Sequence, residues 1–371
     1  MSQPKLSVFI VVKNEVDKIS KALDSIKDLA DELIVIDTGS TDGTIPAANK
    51  WAVANGAVAR LVVESVGSRF HDADGDFNFG AAKQHGIDIA RCDWVMWIDA
   101  NDYVENGKAL REAWYKTIAK NQNCYIVLPT YVSDTFSFPR ARLGRKDQAA
   151  IEGRVHEFMY FPEDVARIEL PFKIHNRKKS RDLERNRKLL EKDWRDYPTG
   201  RTAFYLGMTC MELNKQADAF VWFRRRCRTF EFQDEFKEEY YKSLEMQAAI
   251  LGELVPVKGA TLEDLRDISY EMIGIEPNRR EGHYYAAVYY MATREWKKAE
   301  ICIKRAIKLK KPDGLRLWVN PKMYDDSLIR GAIEKCVNAA RYGKVLKPDA
   351  ILDYGPKPGV MRRGNAQYNP F

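Results

Sequence analysis

At 371 residues, with 45% hydrophobic and 30% charged side chains, the chain is too long for one ordinary core and too apolar to be disordered. Its six cysteines (Cys92, Cys124, Cys210, Cys227, Cys302 and Cys336) form no C-x-x-C pair, which argues against a disulfide framework or zinc site and for reduced cytoplasmic thiols. The net charge of +7 gathers in two runs, Arg177-Lys178-Lys179 with Arg181, Arg185, Arg187 and Lys188, then Arg224-Arg225-Arg226 with Arg228. Such runs either hold an anionic partner or form a solvated helix face beside acidic neighbours such as Asp182 and Glu184.

The opening apolar run, Leu6–Val12, is closed by Lys13-Asn14-Glu15, so it is too short to span a bilayer and reads as a buried strand. No other stretch approaches membrane length, and the expectation is a soluble, cytoplasmic protein. Residues 17–29 place Ile19, Ala22, Leu23 and Ile26 at helical spacing. A second strand follows at 33–36, then a helix over 44–55 with Pro46 in its first turn, a strand at 58–63 and a helix over 78–90. A strand at 94–98, a helix over 107–120 and a strand at 125–128 complete the alternation. This order predicts a mostly parallel sheet with helices on both faces, and ligands at the carboxyl ends of its strands. From 136 to 174 the texture turns to charged, irregular strands and loops punctuated by Pro139, Pro162 and Pro171, which we read as the end of the sheet and an acceptor-side wall.

Beyond His175 almost everything is amphipathic at helical period, near 183–195, 202–213, 216–229, 235–251, 262–273, 281–293 and 296–309. Leu206-Gly207, Ala219 and Phe223 stand at tetratricopeptide offsets, and Ala286-Ala287, Tyr290, Ala299 and Ala306 repeat them, with 230–275 as a degenerate repeat between. The expected division is therefore 1–176 for the α/β domain, 177–350 for the helical one and 351–371 for a flexible tail.

Chemistry is expected where strands end. Asp37-Thr38-Gly39-Ser40-Thr41-Asp42-Gly43-Thr44 lies between a buried strand and a helix. Asp-Thr-Gly-Ser is also an aspartic-protease string, but those enzymes are all-β and pair two copies, whereas this chain has one in a β/α setting. Thr41 or Asp42 would cap the helix. One cap does not need so many glycines and short hydroxyls, which let a nucleotide lie against the backbone while Asp37 accepts from base or ribose. Asp99, Asn101 and Asp102 follow another buried strand, and three oxygen-bearing side chains there either hold a hard divalent cation or make an Asx turn. Of five histidines, His156 sits between Glu152 and Glu157, a polar group that raises the case for function.

Several of these stretches together resemble family 2 glycosyltransferases of the GT-A (Rossmann-like) fold. Val12-Lys13-Asn14-Glu15, Ala-Asp-Glu-Leu-Ile-Val-Ile-Asp ending at Asp37, the Thr-Gly-Ser-Thr-Asp-Gly-Thr loop and Asp76-Phe77-Asn78-Phe79-Gly80-Ala81-Ala82-Lys83-Gln84 carry the resemblance, and the family usually shows Arg-Asn at Lys83-Gln84. Gly153-Arg154-Val155-His156-Glu157 with the helical repeats resembles a bacterial and phage branch. The resemblance implies that Asp37, Gly39, Ser40, Thr41 and Asp42, with Val12, Asn14 and Glu15, hold the nucleotide. It places Asp99 and Asn101 on the two positions of Asp-x-Asp, with His156 or His175 completing the shell of a Mn²⁺ or Mg²⁺ ion. Asn101 departs from the usual aspartate, and an amide oxygen is a neutral, weaker ligand, for which Asp102 could compensate.

The implied reaction moves a sugar from a nucleotide sugar, a UDP-sugar in this reading, to an acceptor hydroxyl with inversion. Glu157 or Asp102 would be the base, and the metal, with Lys83 or Arg154, would offset charge on the departing diphosphate. The acceptor stays open among a protein, a glycan and, given the basic runs, DNA bearing modified bases. Two readings from other classes remain, a non-catalytic helical scaffold with a silenced nucleotide site and a nucleotidyltransferase. The second lacks the glycine-rich loop expected after the first strand.

Overall fold

The computed structural model describes residues 3–132, 137–176, 182–229, 237–253 and 256–312, with positions 319, 321–326 and 331 beyond them. Arg177, Lys178, Lys179 and Arg181 of the first basic run, and the expected tail over 351–371, lie outside the described residues. Two compact units divide the chain, the second beginning at Asp182. No described helix is long and apolar enough to cross a membrane.

The first unit is built on one mixed sheet. Strands β1 (Leu6–Val12), β2 (Glu32–Asp37), β3 (Leu61–Ser65) and β4 (Trp94–Asp99) run parallel in the order β3-β2-β1-β4. The apolar runs of β1, β2 and β4 are buried because helices α1 (Val16–Ile26), α2 (Thr44–Ala54) and α3 (Phe79–Ile89) cover the sheet, while the edge strand β3 is half-buried. In α1 the spacing of Ile19, Ala22, Leu23 and Ile26 does what the sequence requires, and all four are buried. Strand β3 begins later than its apolar composition suggests. The carbonyl of Ala57 accepts from both Arg60 N and Leu61 N at 2.9 Å, so the chain is still turning at 58–60.

In the rest of the sheet one strand, over 137–145, departs from the expectation of short irregular strands. Strand β5 (Asp102–Val104) and helix α4 (Gly107–Ile118) precede β6 (Cys124–Tyr131) and a nine-residue strand, β7 (Ser137–Arg145). β7 inserts antiparallel between β4 and β6. Short strands β8 (Ala150–Glu152) and β9 (Phe158–Tyr160) form a separate hairpin, while β10 (Ala166–Glu169) and β11 (Ile174–Asn176) join β6 in parallel. β11 then pairs antiparallel with β5, which places Asp102 in a strand directly after the turn at Ala100 and Asn101. The strand order reverses at β1, so the crevice favoured by such sheets opens beyond the carboxyl ends of β1 and β4.

Among its described residues the second unit is built of helices: α5 (Leu183–Asp196), α6 (Gly200–Glu212), α7 (Gln216–Thr229), α8 (Lys237–Gly252), α9 (Leu262–Ile275), α10 (Arg280–Ala292) and α11 (Trp296–Lys308). The hairpins α6–α7 and α10–α11 are built alike. Asn214 (φ 58°) and Arg294 (φ 62°) take the left-handed conformation at the same point of each three-residue turn. After each, Lys215 N and Glu295 N bond back to Cys210 O and Tyr290 O at 2.8 Å. Ala219, Phe223, Ala299 and Ala306 are fully buried between the helices. The middle hairpin, α8–α9, has a longer connection that ends in a capping box, Thr261 N donating to Asp264 Oδ2 at 2.7 Å. Nearly all of α8 is buried, and Arg279, just ahead of α10, bonds Glu238 and Glu281 at 3.1 and 3.0 Å and lies 3.9 Å from the Tyr241 ring centre.

The described basic residues are largely neutralised within this unit. Arg187 pairs with Glu184 and Glu191, Arg224 with Asp264, and Arg226 is buried.

The tight hairpin gives a test whose sign is diagnostic. A Cβ on Gly207 would lie 2.6 Å from Phe223 Cε1, inside a closed core. In an open helix Gly→Ala gains about 1 kcal/mol. Gly207→Ala should instead destabilise by about 1–3 kcal/mol through overpacking, read by urea unfolding. A stabilised variant would show that α6 and α7 are not packed this closely.

Candidate functional site

Two loops close together at the ends of β1 and β2. Thr38 N and Oγ1 both donate to Val12 O at 3.0 Å. Asn14 N donates to Ser40 Oγ at 3.0 Å, and Thr41 N returns to Asn14 Oδ1 at 2.8 Å. Glu15 N donates to Thr44 Oγ1 at 2.8 Å. Asp42 Oδ2 accepts from Val16 N, the first amide of α1, while Oδ1 accepts from Thr44 N at the start of α2. The N-cap position of α2 is Gly43, at φ 90°, so neither Thr41 nor Asp42 occupies it. Asp42 instead ties the first turns of two helices to one carboxylate. The hydrogen bond from Thr44, with those backbone amides, holds this carboxyl below its usual range.

The expected nucleotide residues therefore divide. Val12, Asn14, Ser40, Thr41 and Asp42 spend their hydrogen bonds fastening one loop to the other, and Glu15 pairs with Lys18 at 2.5 Å. Asp37 is buried at the end of β2, where its Oδ1 accepts from Ser40 N at 3.0 Å. Gly39 has φ 96° and open space around the place of a Cβ, so the loop presents bare backbone there.

Beyond β4 the chemistry is ionic. Lys83, on α3, is 3% exposed at its side chain and bonds Asp99 Oδ1 at 2.8 Å together with Glu157 Oε1. Its position is fixed by close backbone contact. A Cβ on Gly80 would fall 2.1 Å from Gly153 O, and Phe79 N donates to Arg154 O at 3.0 Å, while Ile151 N donates to Gln84 Oε1 at 2.8 Å. Asn78 caps the helix through Ala81 N at 2.9 Å. Residues 151–157 are thus held against α3, which brings Glu157 to Lys83 across 74 positions of sequence.

Sequence reasoning missed the other half of this site. Arg140 and Arg142, two apart on β7, share a face of the sheet. Lys83 Nζ and the guanidinium carbons of Arg142 and Arg140 lie 3.7, 4.2 and 5.1 Å from the ring centre of the buried Trp97. Arg142 meets Asp102 Oδ2 at 3.0 Å, and neither side chain has exposed surface. Asp102 also accepts from Asn176 Nδ2 at 2.7 Å and from Asp99 N at 3.1 Å. Asp102 is sealed in the fold and does not face solvent as a base would. Burial works to raise the Asp99 carboxyl, but Lys83, Arg140 and Arg142 outweigh it and hold it well below the usual carboxylate range. At Asp102 burial prevails over Arg142 and pushes the carboxyl up.

The expected metal ligands do not converge. His175 Nε2 contacts Glu105 Oε2 at 2.9 Å, and its ring stacks on Tyr103 at 4.6 Å. His156 takes φ 55° in the turn before Glu157. Among the described residues, the group of three acidic, His or Cys side chains with ligand atoms within 4.8 Å of one another is Asp72, Asp74 and Asp76, which contains none of Asp99, His156 or His175. Asn101 offers a buried Nδ2 with no hydrogen-bond partner, a donor suited to an anion. With Asp99 bonded to an ammonium and Asn101 presenting N–H, Asp99, Asn101, His156 and His175 do not fit a divalent ion.

The sealed pair yields a pH test. Arg142→Met leaves Asp102 buried without its cation and should cost about 3–5 kcal/mol of stability. A carboxyl raised in the folded state is penalised as pH rises through its folded value and relieved as pH falls. The deficit, measured by urea unfolding, should therefore narrow as pH is lowered from neutrality toward the ordinary carboxylate range at about pH 4. A deficit that ignores pH would mean that Asp102 is not an unpaired charge in the variant.

Residues 7–177 match the model of the glycosyl transferase family 2. A Rickettsia bellii protein named as a glycosyltransferase is 32% identical over 123 residues, 33% of this chain and 36% of that protein. A tetratricopeptide repeat-containing protein of Synechococcus elongatus is 33% identical over 110 residues, 30% of this chain and 22% of its own length. The match thus spans about a third of the Rickettsia relative. Among solved structures, Staphylococcus aureus TarS 1–349 in complex with UDP-GlcNAc aligns over 83% of this chain and 93% of its own, at 11% identity and a TM-score of 0.38. The N-terminal unit, with its mixed α/β sheet and the Asp37 and Asp99 strand ends, is a glycosyl transferase family 2 domain.

Proposed function

We propose that this domain transfers a sugar from a nucleotide sugar, with a UDP-sugar as donor, to an acceptor hydroxyl with inversion at the anomeric carbon. The observation that carries the reading is the placement of Asp37, the open Gly39 backbone and the Asp99–Lys83–Glu157 cluster around one switch point of the sheet. Asp37 accepts hydrogen bonds from the base, and the backbone about Gly39 lies against the nucleoside. The fastened loops hold this half of the cleft in shape before the donor arrives, so little ordering is needed on binding.

In the transfer, the acceptor oxygen bonds to the anomeric carbon from the face opposite the leaving group. The bond from that carbon to the diphosphate oxygen breaks, and its electron pair leaves with the nucleoside diphosphate. The hydroxyl proton passes to Glu157, the carboxylate that supports the role of base better than the sealed Asp102. Its Oε1 is held by Lys83, which fixes the direction of the group. Loss of one charged hydrogen bond costs about 1.5–3 kcal/mol, or roughly 10–100-fold in affinity. Asp37→Ala should weaken UDP binding by that order in calorimetry, and Asp37→Asn, which keeps the size, should weaken it less. Unchanged affinity in variants with native circular dichroism would remove this loop from the donor site.

A further inference from the structure

We propose that this domain binds and uses its donor without a divalent cation, because its own side chains occupy the ion's place. The proposal rests on the nucleotide-sugar reading and adds to it the means of handling the diphosphate charge.

Charge balance is the first argument. Three carboxylates, Asp99, Asp102 and Glu157, stand beside Lys83, Arg140 and Arg142. Each carboxylate has a cation within 4.0 Å. A hard divalent ion is held by oxygens whose negative charge is otherwise uncompensated. To gain Asp99 and Glu157, the ion would have to expel an ammonium that is almost fully buried and lies 3.7 Å from the Trp97 ring centre. The departure at Asn101 is the second, independent argument. It puts a neutral amide where a carboxylate would meet the ion, and its Nδ2, which has no partner, is a donor that can turn to a phosphate oxygen. The two features agree: the acid that would face the ion is gone, and a fixed positive charge is present.

The leaving diphosphate then meets side chains. Lys83 is locked between two acids, whereas Arg140 stands 4.0 Å from Asp99 Oδ2 with about a quarter of its side chain exposed. Arg140 is the cation with room to turn toward an anion, and its guanidinium presents a fork that matches phosphate oxygens. As the bond to the anomeric carbon breaks, the charge gathering on the diphosphate is offset by Arg140 and the Asn101 amide.

The test measures UDP binding to the full chain by calorimetry, once in excess EDTA and once in Mn²⁺. Equal affinities, within about twofold, are expected. A loss of about tenfold or more in EDTA overturns the proposal. Arg140→Gln should weaken UDP equally in both buffers. Lys83→Met with Asn101→Asp should bind UDP more tightly in Mn²⁺ than in EDTA, since an acid and a vacancy are restored together. If that variant does not fold, the wild-type comparison still decides. If UDP binds in neither buffer, the nucleotide-sugar reading fails, and Mn²⁺ alone settles the cation question. In an Asp72→Asn/Asp74→Asn background, the Mn²⁺ resonance signal should show no bound ion. Bound Mn²⁺ that is lost on adding Asp99→Asn would overturn the proposal.

Discussion

The pair of Arg142 and Asp102 is the constraint on which the first unit turns. Both side chains are removed from water, so each is tolerable only in the presence of the other. Arg142 belongs to β7 and Asp102 to β5, which sit on opposite sides of β6 in the sheet order. Their contact fixes how the antiparallel half of the sheet lies under the end of β4. Asn176 of β11 donates to the same carboxylate, and the amide of Asp99 donates to its other oxygen. One buried acid thereby sets the backbone from which the neighbouring acid projects.

Above that base, Trp97 gives three cations a common floor. Stacking a cation on an indole face offsets part of its desolvation, which compensates Lys83 for a place that is almost fully buried. The arrangement is also rigid. Gly80 allows α3 to touch the 153–157 turn backbone to backbone, so Lys83 and Glu157 are held by main chain and not by flexible loops. On the nucleotide side, rigidity has another source. There the first turns of α1 and α2 share Asp42, and the two loops exchange hydrogen bonds in both directions. Each half of the cleft is shaped by contacts between segments far apart in sequence.

The helical unit follows different rules. Its hairpins rely on small residues and a left-handed turn residue at repeated positions, so each is specified mostly by its own stretch of chain. Ion pairs between hairpins add to this: the buried Arg279, bonded to Glu238 and Glu281 and stacked on Tyr241, links α8 to the start of α10, and Arg224 links α7 to Asp264 of α9.

What could be read in the sequence is what depends on local pattern. Continuous apolar runs marked β1, β2 and β4, helical periodicity marked the helices, and the polar residues after Ile36 and Ile98 marked the strand ends where chemistry gathers. The repeat offsets of Gly207, Ala219 and Ala299 were legible for the same reason. β7 was not, because a strand carrying Pro139, Arg140, Arg142 and Arg145 looks like an exposed loop until Asp102 and Trp97 arrive to receive its arginines. Nor could the sequence tell that Asp102 is sealed, that Asp42 serves two helices, or that Lys83 stands between Asp99 and Glu157. Those facts rest on pairings across 16 to 74 positions, and a charge acquires its role only when folding selects its partner.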